Sequence, residues 1–131
     1  MIAKETGAED RPAEGMTRRA LIDYCLTYPD AYEDYPFDES ADASDAWTVM
    51  RHRLNKKSFA FIYERDGLCI NLKCEPEDAD FLRKVYEGVT PAYHMNKEHW
   101  NTVHPNSDVP TDELRGMIER SYRLTMPKRG K

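Results

Sequence analysis

The chain has 131 residues, of which 40% are hydrophobic and 11% aromatic, and this is enough for one packed domain. Its formal net charge of −5 argues against a protein that coats nucleic acid without specificity, because such binding depends on Lys and Arg neutralising phosphates. No segment has the roughly 20 apolar residues of a membrane span, and residues 1–15 lack the apolar run of a secretory signal. The sequence therefore predicts a cytoplasmic protein without a membrane partner.

The charge is unevenly distributed along the chain. Residues 20–50 contain eight acidic residues and no Lys or Arg, whereas residues 51–131 contain fifteen basic and twelve acidic residues. An acidic segment is most often a solvated loop, but it repels a phosphate backbone wherever it lies close to one. DNA binding is thus conditional on the position of this segment. The eight acids are Asp23, Asp30, Glu33, Asp34, Asp38, Glu39, Asp42 and Asp45.

The first predicted helix follows a polar leader. Residues 1–15 are small and charged, which predicts a disordered extension. We expect the domain to span residues 16–126, followed by a basic tail over 127–131. Thr17 is suited to cap a helix that Pro29 ends, and an acidic connection leads from there towards Trp47.

Three strands are predicted next, because aromatic and aliphatic residues dominate three short runs. The dipeptide Asp66-Gly67 predicts a hairpin between the second and third run. Strict alternation would place Phe59 with Phe61 and Tyr63 on one face of the sheet, opposite Ala60 and Ile62. The three runs are Trp47–His52, Phe59–Arg65 and Leu68–Cys74.

The second half of the chain predicts two further helices. Pro76 at a first helical position and Gly88 beyond the end bound one of them, and Asp108 or Thr111 caps the other. Between them, residues 93–104 are expected to be extended. The result is an α+β domain of two layers in the order α-βββ-α-β(β)-α, with an antiparallel sheet whose helices pack on one face.

The sequence supports neither catalysis nor a cofactor. It lacks a G-x-S-x-G motif, a P-loop, G-x-G-x-x-G and H-E-x-x-H, so we predict no catalytic residues and no enzyme. The chain has three cysteines, Cys25, Cys69 and Cys74. Because this number is odd and no export signal is predicted, we expect reduced, buried thiols rather than disulfides. His94, His99 and His104 recur every five residues and would alternate between faces of a strand, so no metal site is predicted.

The segment TPAYHMNKEHWNTVHP, residues 90–105, has the densest mix of functional side chains. In a structural interpretation its Asn side chains satisfy backbone groups and Trp100 fills the core. In a functional one, Lys97, His94 and Lys73 meet an anion while an aromatic ring stacks on a ligand or base.

Four further motifs point to a family. They are A-Y-E-D-Y-P-F at residues 31–37, L-C-I-N-L-K-C at 68–74, T-P-A-Y-H-M-N-K-E-H-W-N-T-V at 90–103 and S-Y-R-L at 121–124. With these motifs, residues 16–126 resemble the MmcQ/YjbR family. The resemblance implies a small bacterial α+β domain with a fold like that of type III secretion chaperones, sometimes grouped with frataxin-like CyaY folds.

The same resemblance implies a function. Family members are described as predicted DNA-binding proteins with a double-wing mode, so double-stranded DNA is the expected partner. This chain departs from the family at Ala92, where Gly is usual, and in the extra bases of residues 47–57. A protein-interaction module, and a binder of small anions or metabolites at the YHMNKEHW surface, are the alternatives.

The residues expected to bind a ligand come from the basic hairpin and from the YHMNKEHW segment. Whether these residues share a face is open from the sequence, as are the oligomeric state, the partner and any DNA sequence preference. The candidate binding residues are Arg51, Arg53, Lys56, Lys57, Lys73, Tyr93, His94, Asn96, Lys97, His99 and Trp100.

Overall fold

The computed structural model describes residues 15–36, 47–93 and 95–128. The predicted disordered extension, apart from Gly15, and the last three residues of the predicted basic tail lie outside these ranges. Within the described ranges, no helix has the length and apolar character needed to cross a membrane. The elements of these ranges are α1 (Arg18–Cys25), β1 (Ala31–Asp34), β2 (Thr48–His52), β3 (Ser58–Glu64), β4 (Leu68–Lys73), α2 (Pro76–Val85), β5 (Val89–Pro91), β6 (Trp100–Val103) and α3 (Thr111–Leu124).

The strands form one antiparallel sheet in the order β1-β2-β3-β4-β6-β5. The predicted α+β class with an antiparallel sheet is confirmed. Strand β1 was not predicted, because its sequence AYED has no hydrophobic run. It is held at the sheet edge by ion pairs, with Arg19 contacting Glu33 at 3.1 Å and Arg51 contacting Asp34 at 2.7 Å.

The expectation of continuous extended structure over residues 93–104 is wrong for its first half. Among the described residues of this range only β6 is a strand, and residues 92–93 and 95–99 belong to the loop between β5 and β6. The turn at Asp66-Gly67 is confirmed, since both residues have positive φ, 58° and 106°. Glu64 pairs with Leu68, so Arg65 belongs to the connection rather than to the strand.

The hydrophobic core lies between the three helices and one face of the sheet. Apolar side chains of α1 and α3 pack against those of the four central strands, and full burial of each large aliphatic side chain stabilises the fold by about 1.5–3 kcal/mol. The opposite face of the sheet, which we call the helix-free face, carries the site described below. Core members include Leu21, Ile22, Met50, Ile62, Ile70, Val103, Leu114 and Ile118.

A β-bulge in the β2–β3 pair corrects the predicted alternation. Met50 pairs with Ala60 and Arg51 with Ser58, so Phe59 between them has no partner. Such an extra residue lets two successive side chains turn to the same side. Phe59 is therefore fully buried in the core together with Ala60, rather than on the helix-free face.

The helix α3 is joined to the sheet at this bulge. The Ser121 hydroxyl donates to the carbonyl oxygen of Phe59 at 2.6 Å and accepts from the backbone N–H of Lys73 at 2.9 Å. The side chain thus bridges β3 and β4 where their own ladder of hydrogen bonds ends.

The predicted N-terminal residues are confirmed for α1 and α2 and are wrong for α3. The Thr17 hydroxyl accepts from the backbone N–H of Ala20, as predicted, and Pro76 begins α2. For α3 the predicted cap is wrong, since Pro110 occupies the capping position without a side-chain bond. Asp108 instead accepts from the backbone N–H groups of Glu87 and Gly88, which holds the pKa of its carboxyl below the usual value.

Candidate functional site

Most of the predicted binding residues fall into two separate places. Lys73 lies in neither, since it lines a groove between α2 and α3, so the predicted anion site shared by Lys73 and Lys97 is wrong. Arg53 to Lys57 form a tight connection between β2 and β3, which we call the basic turn. The aromatic residues of the YHMNKEHW segment lie on the helix-free face, because Trp100 contacts the ring of Phe61 and Tyr93 that of Tyr63.

Backbone and side-chain hydrogen bonds fix the shape of the basic turn. The N–H of Lys56 donates to the carbonyl oxygen of His52 at 2.7 Å, and Lys56 has a φ of 62°. The Asn55 side chain accepts from the N–H of Lys57 at 3.0 Å and donates to the carbonyl oxygen of Thr125, just beyond α3, at 3.1 Å. The turn is therefore attached to the helix layer as well as to the sheet.

The two lysines of the basic turn form a positively charged surface. Lys56 and Lys57 are exposed, and within the described residues no carboxylate forms an ion pair with either. Leu54 between the bases is 74% exposed. Arg51 and Arg53 are engaged instead, Arg51 by Asp34 and Arg53 by the Tyr32 ring at 5.1 Å.

Three of the four described acids in residues 20–50 are paired. Arg19 holds Asp23 at 2.9 Å and Glu33 at 3.1 Å, and this contact lowers the pKa of Glu33. Asp34 is bound by Arg51. The other four acids, from Asp38 to Asp45, lie outside the described residues.

Aromatic rings cover the middle of the helix-free face. Trp47 stacks parallel on Tyr63, with ring centroids 4.0 Å apart, and also contacts Tyr93 and Phe61 at 6.3 Å. Trp47, Phe61 and Tyr93 are half-buried, so each keeps part of its ring in contact with solvent. Parallel and edge-on contacts of this kind add about 0.5–1.5 kcal/mol per pair beyond burial.

A buried polar network lies beneath these rings. The side-chain oxygen of Asn71 accepts from the Tyr63 hydroxyl at 2.8 Å and from the Thr102 hydroxyl at 2.6 Å, while its amide donates to the carbonyl oxygen of Tyr93 at 3.1 Å. Burial raises the pKa of Tyr63 to about 12. The network fixes the start of the loop 92–99 to the sheet.

A pocket of about 340 Å³ opens at the β3–β4 end of this face. Its basic or protonatable side chains are Arg65, Lys97 and His104, and its described lining contains no carboxylate. The Arg65 guanidinium lies over the Tyr93 ring at 4.0 Å from the centroid. Such an arrangement is chemically suited to bind an anion beside an aromatic ring.

The comparisons with known proteins decide the family. The YjbR family model matches residues 26–124 of the chain. The Bacillus subtilis (strain 168) protein YyaQ is 36% identical over 121 residues, which cover 84% of this chain and 98% of YyaQ. The chain belongs to the YjbR family.

Other relatives of this YjbR domain agree. The Escherichia coli (strain K12) protein YjbR is 29% identical over 108 residues, covering 82% of this chain and 85% of that protein. A crystal structure from Pseudomonas syringae has a TM-score of 0.72 at 36% identity, covering 85% of this chain and all of the other. The Deinococcus radiodurans protein DR2400 has a TM-score of 0.73 at 31% identity, covering 88% of this chain and 82% of the other. YyaQ and YjbR are both described as uncharacterised, so the family gives the fold and leaves the activity to be inferred.

The remaining predicted binding residues of the YjbR domain have structural contacts. The Asn96 side chain accepts from the N–H of Glu98 at 2.9 Å, and the carbonyl oxygen of His99 accepts from the N–H of Cys74 at 2.8 Å. Lys73 ends β4 at the register position opposite Trp100. His94 lies outside the described residues.

The cysteines are free thiols and buried, as predicted. Burial raises the pKa of Cys25 to about 12 and that of Cys74 to about 11, so both stay protonated at neutral pH. The Cys69 sulfur lies 3.6 Å from Nδ1 of His104 at the pocket. Within the part of the chain that the structure describes, no third His, Cys, Asp or Glu joins such a pair to form a metal-binding group.

Sequence reasoning missed Arg65 as a site residue. It was assigned to the end of a strand, whereas it lies in the three-residue connection and reaches Tyr93, 28 residues along the chain. The sequence offered one signal, the place of Arg65 directly before Asp66-Gly67, the dipeptide that predicts the turn.

Proposed function

We propose that this YjbR domain binds double-stranded DNA through the basic turn, with the neighbouring end of α3 supplying further cations. The observation that carries the proposal is the pair Lys56 and Lys57, which no described carboxylate neutralises, on a turn of fixed shape. Phosphate contacts by Lys and Arg supply most of the affinity of such complexes.

The fixed shape of the turn supports this function. Because hydrogen bonds from Asn55 and Lys56 hold the backbone, the lysines lose little backbone freedom on binding. The α3 end adds Lys128 and Arg123, both exposed, of which Arg123 pairs with Glu119 at 2.8 Å.

The charge distribution supports it as well. Arg19 is shared by Asp23 and Glu33, and Arg51 pairs with Asp34, so two of these three negative charges are compensated. Asp30 lies beside the turn, where its carbonyl oxygen accepts from the N–H of Arg53 at 2.7 Å and where it lines a pocket with Leu54. Its carboxylate opposes the approach of phosphates.

The test is a salt titration of a labelled duplex, followed by fluorescence anisotropy. The plot of log K against log salt has a negative slope, and each lost phosphate contact makes it less steep by about 0.9. The double variant Lys56→Ala with Lys57→Ala should therefore reduce its steepness by about 1.8. Asp30→Asn should strengthen binding. Lys84→Ala is the matched control, since Lys84 is exposed on α2 and paired with Asp80. Absence of salt-dependent binding by the unaltered protein at micromolar concentration contradicts the proposal.

The pocket on the helix-free face favours a second candidate function, the binding of a small anion. Its support is the grouping of Arg65, Lys97 and His104 around one opening whose described lining is free of carboxylates. Tyr93 beneath Arg65 adds a ring surface for a planar ligand.

Inorganic phosphate and a nucleoside monophosphate are suitable probes for this pocket, monitored by backbone amide NMR shifts. Saturable shifts around Thr90 and Thr102 that disappear in Arg65→Gln would support the site. Arg115→Gln is the matched control, because Arg115 also stacks on a tyrosine, Tyr24, at 5.3 Å and lies outside the pocket. If phosphate gives no shift and the nucleotide does, the ring contact dominates; no shift with either probe rejects the site.

A further inference from the structure

The exposed face of α3 has an unexplained glycine at its centre. Gly116 is exposed within the helix, and a Cβ built there would meet nothing within 4 Å. A glycine inside a helix costs about 0.5–1 kcal/mol relative to alanine. Packing among the described residues gives no reason for that cost, whereas close approach of a second backbone gives one.

A groove runs beside Gly116 between α2 and α3. It has a volume of about 370 Å³, and apolar side chains of both helices line it together with four charged ones of the same helices, Asp78, Asp112, Glu113 and Arg120. Phe81 on its α2 side is 61% exposed, which is unusual for a large aromatic ring without a partner. The groove is therefore open to an apolar occupant at the level of Gly116.

The charges along α3 are arranged around the same residue. Before Gly116, Asp112 and Glu113 outnumber the single base Arg115. After it, Arg120 and Arg123 outnumber the single acid Glu119, which pairs with Arg123 at 2.8 Å, so the two halves carry net charges of opposite sign. A second α3 running antiparallel across Gly116 brings its basic half opposite the acidic half of the first. The face is thus complementary to itself under a two-fold rotation, which is the property that an isologous dimer interface requires.

We propose that two copies of this chain associate through α3 with their helices crossing at Gly116 and with each Phe81 covered by the other copy. Glu113 and Arg120 both line the groove. They lie three residues before and four residues after Gly116, so an antiparallel crossing there brings Glu113 of one copy opposite Arg120 of the other. Within one copy Arg120 reaches only Asp78, at 3.8 Å and on the surface. Because Gly116 has no side chain, the two helix backbones can approach closely where they cross.

The experiment measures mass by sedimentation equilibrium over a concentration series. The unaltered chain should rise from 15.3 kDa to twice that mass. Gly116→Leu should stay at the mass of one chain while remaining folded, since leucine favours helix and the space around Gly116 is open. Circular dichroism and thermal unfolding of this variant check its fold.

A charge exchange tests the geometry. Glu113→Arg and Arg120→Glu should each abolish the dimer, and the variant with both changes should restore it. Glu64→Arg is the control, because Glu64 is exposed at the end of β3, away from α3. A mass of one chain at every concentration overturns the proposal, as does a dimer that survives Gly116→Leu. If the variant with both changes does not form a dimer, the antiparallel arrangement of the two α3 helices is wrong.

Discussion

The Ser121 hydroxyl donates a 2.6 Å hydrogen bond to the carbonyl oxygen of Phe59, 62 residues earlier in the chain. The bond crosses from α3 to the bulge of β3, where the strand ladder offers that oxygen no partner. The same hydroxyl oxygen accepts from the N–H of Lys73 in β4. One small side chain therefore satisfies two buried backbone groups and sets the position of α3 on the sheet.

Replacing Ser121 with Ala should destabilise the fold by about 1–3 kcal/mol, because the groups on Phe59 and Lys73 lose their partner in a buried place. Urea unfolding followed by circular dichroism measures the change. Ser58→Ala is the control, since Ser58 is half-buried and accepts only a long bond of 3.4 Å from Arg51. Equal losses in the two variants would contradict a bridging role for Ser121.

His52 should make stability depend on pH. Burial lowers its pKa below 6.5, and its Nε2 lies 2.7 Å from the Thr125 hydroxyl, which itself donates to the carbonyl oxygen of Ser121. Below about pH 6.5 the unfolded chain binds a proton that the folded chain resists. The free energy of unfolding should thus fall as the pH drops from 6.5 to the lower pKa of the folded state.

Unfolding measured at about pH 7.5 and about pH 5 tests this dependence. His52→Gln should reduce the difference between the two values, because its amide keeps a donor towards Thr125 and does not titrate. His99→Gln is the control, since His99 is half-exposed outside the core. An unchanged pH dependence in His52→Gln would assign the effect to other groups.

Two glycines should respond in opposite ways to the same substitution. Gly116→Ala should stabilise the monomer by about 0.5–1 kcal/mol, since the helix gains propensity without a clash. Gly67→Ala should destabilise it by about 1 kcal/mol or more, because Gly67 has a φ of 106° in the turn. Urea unfolding at a concentration that keeps both variants monomeric gives the comparison, and effects of the same sign would contradict it.

Asn71 should be required for the helix-free face. Asn71→Ala leaves the Tyr63 and Thr102 hydroxyls and the carbonyl oxygen of Tyr93 without their shared partner, at a cost of about 2–3 kcal/mol. Tryptophan fluorescence during unfolding reports the change, because Trp47 stacks on Tyr63. Asn96→Ala, which removes one exposed bond, should cost less than half as much.

Much of the fold follows from local sequence signals. Short runs of aromatic and aliphatic residues predicted β2, β3 and β4, Asp66-Gly67 predicted the turn between β3 and β4, and Pro76 marked the start of α2. These signals suffice because each is set by neighbours in the chain. The family resemblance, which rested mainly on residues 90–103, is confirmed by the match over residues 26–124.

The rest depended on contacts between distant residues. Strand β1 is polar and is held by arginines from α1 and β2, so its own sequence contains no strand signal. Phe59 turns into the core because of a bulge that alternation does not show. Arg65 and Tyr93 meet only once the loop 92–99 is fixed by Asn71.

The position of Thr125 sets the distance between the two basic turns in the proposed dimer. Thr125 lies nine residues beyond Gly116, about 13.5 Å along a helix that rises 1.5 Å per residue. Its carbonyl oxygen holds Asn55 of the basic turn. Two copies crossing at Gly116 therefore place these two anchor points about 27 Å apart along the helix axis, with the lysines further out. Successive major grooves on one side of a DNA duplex are about 34 Å apart. In the proposed dimer, the length of α3 would therefore set the spacing of the two basic turns that we propose to bind DNA.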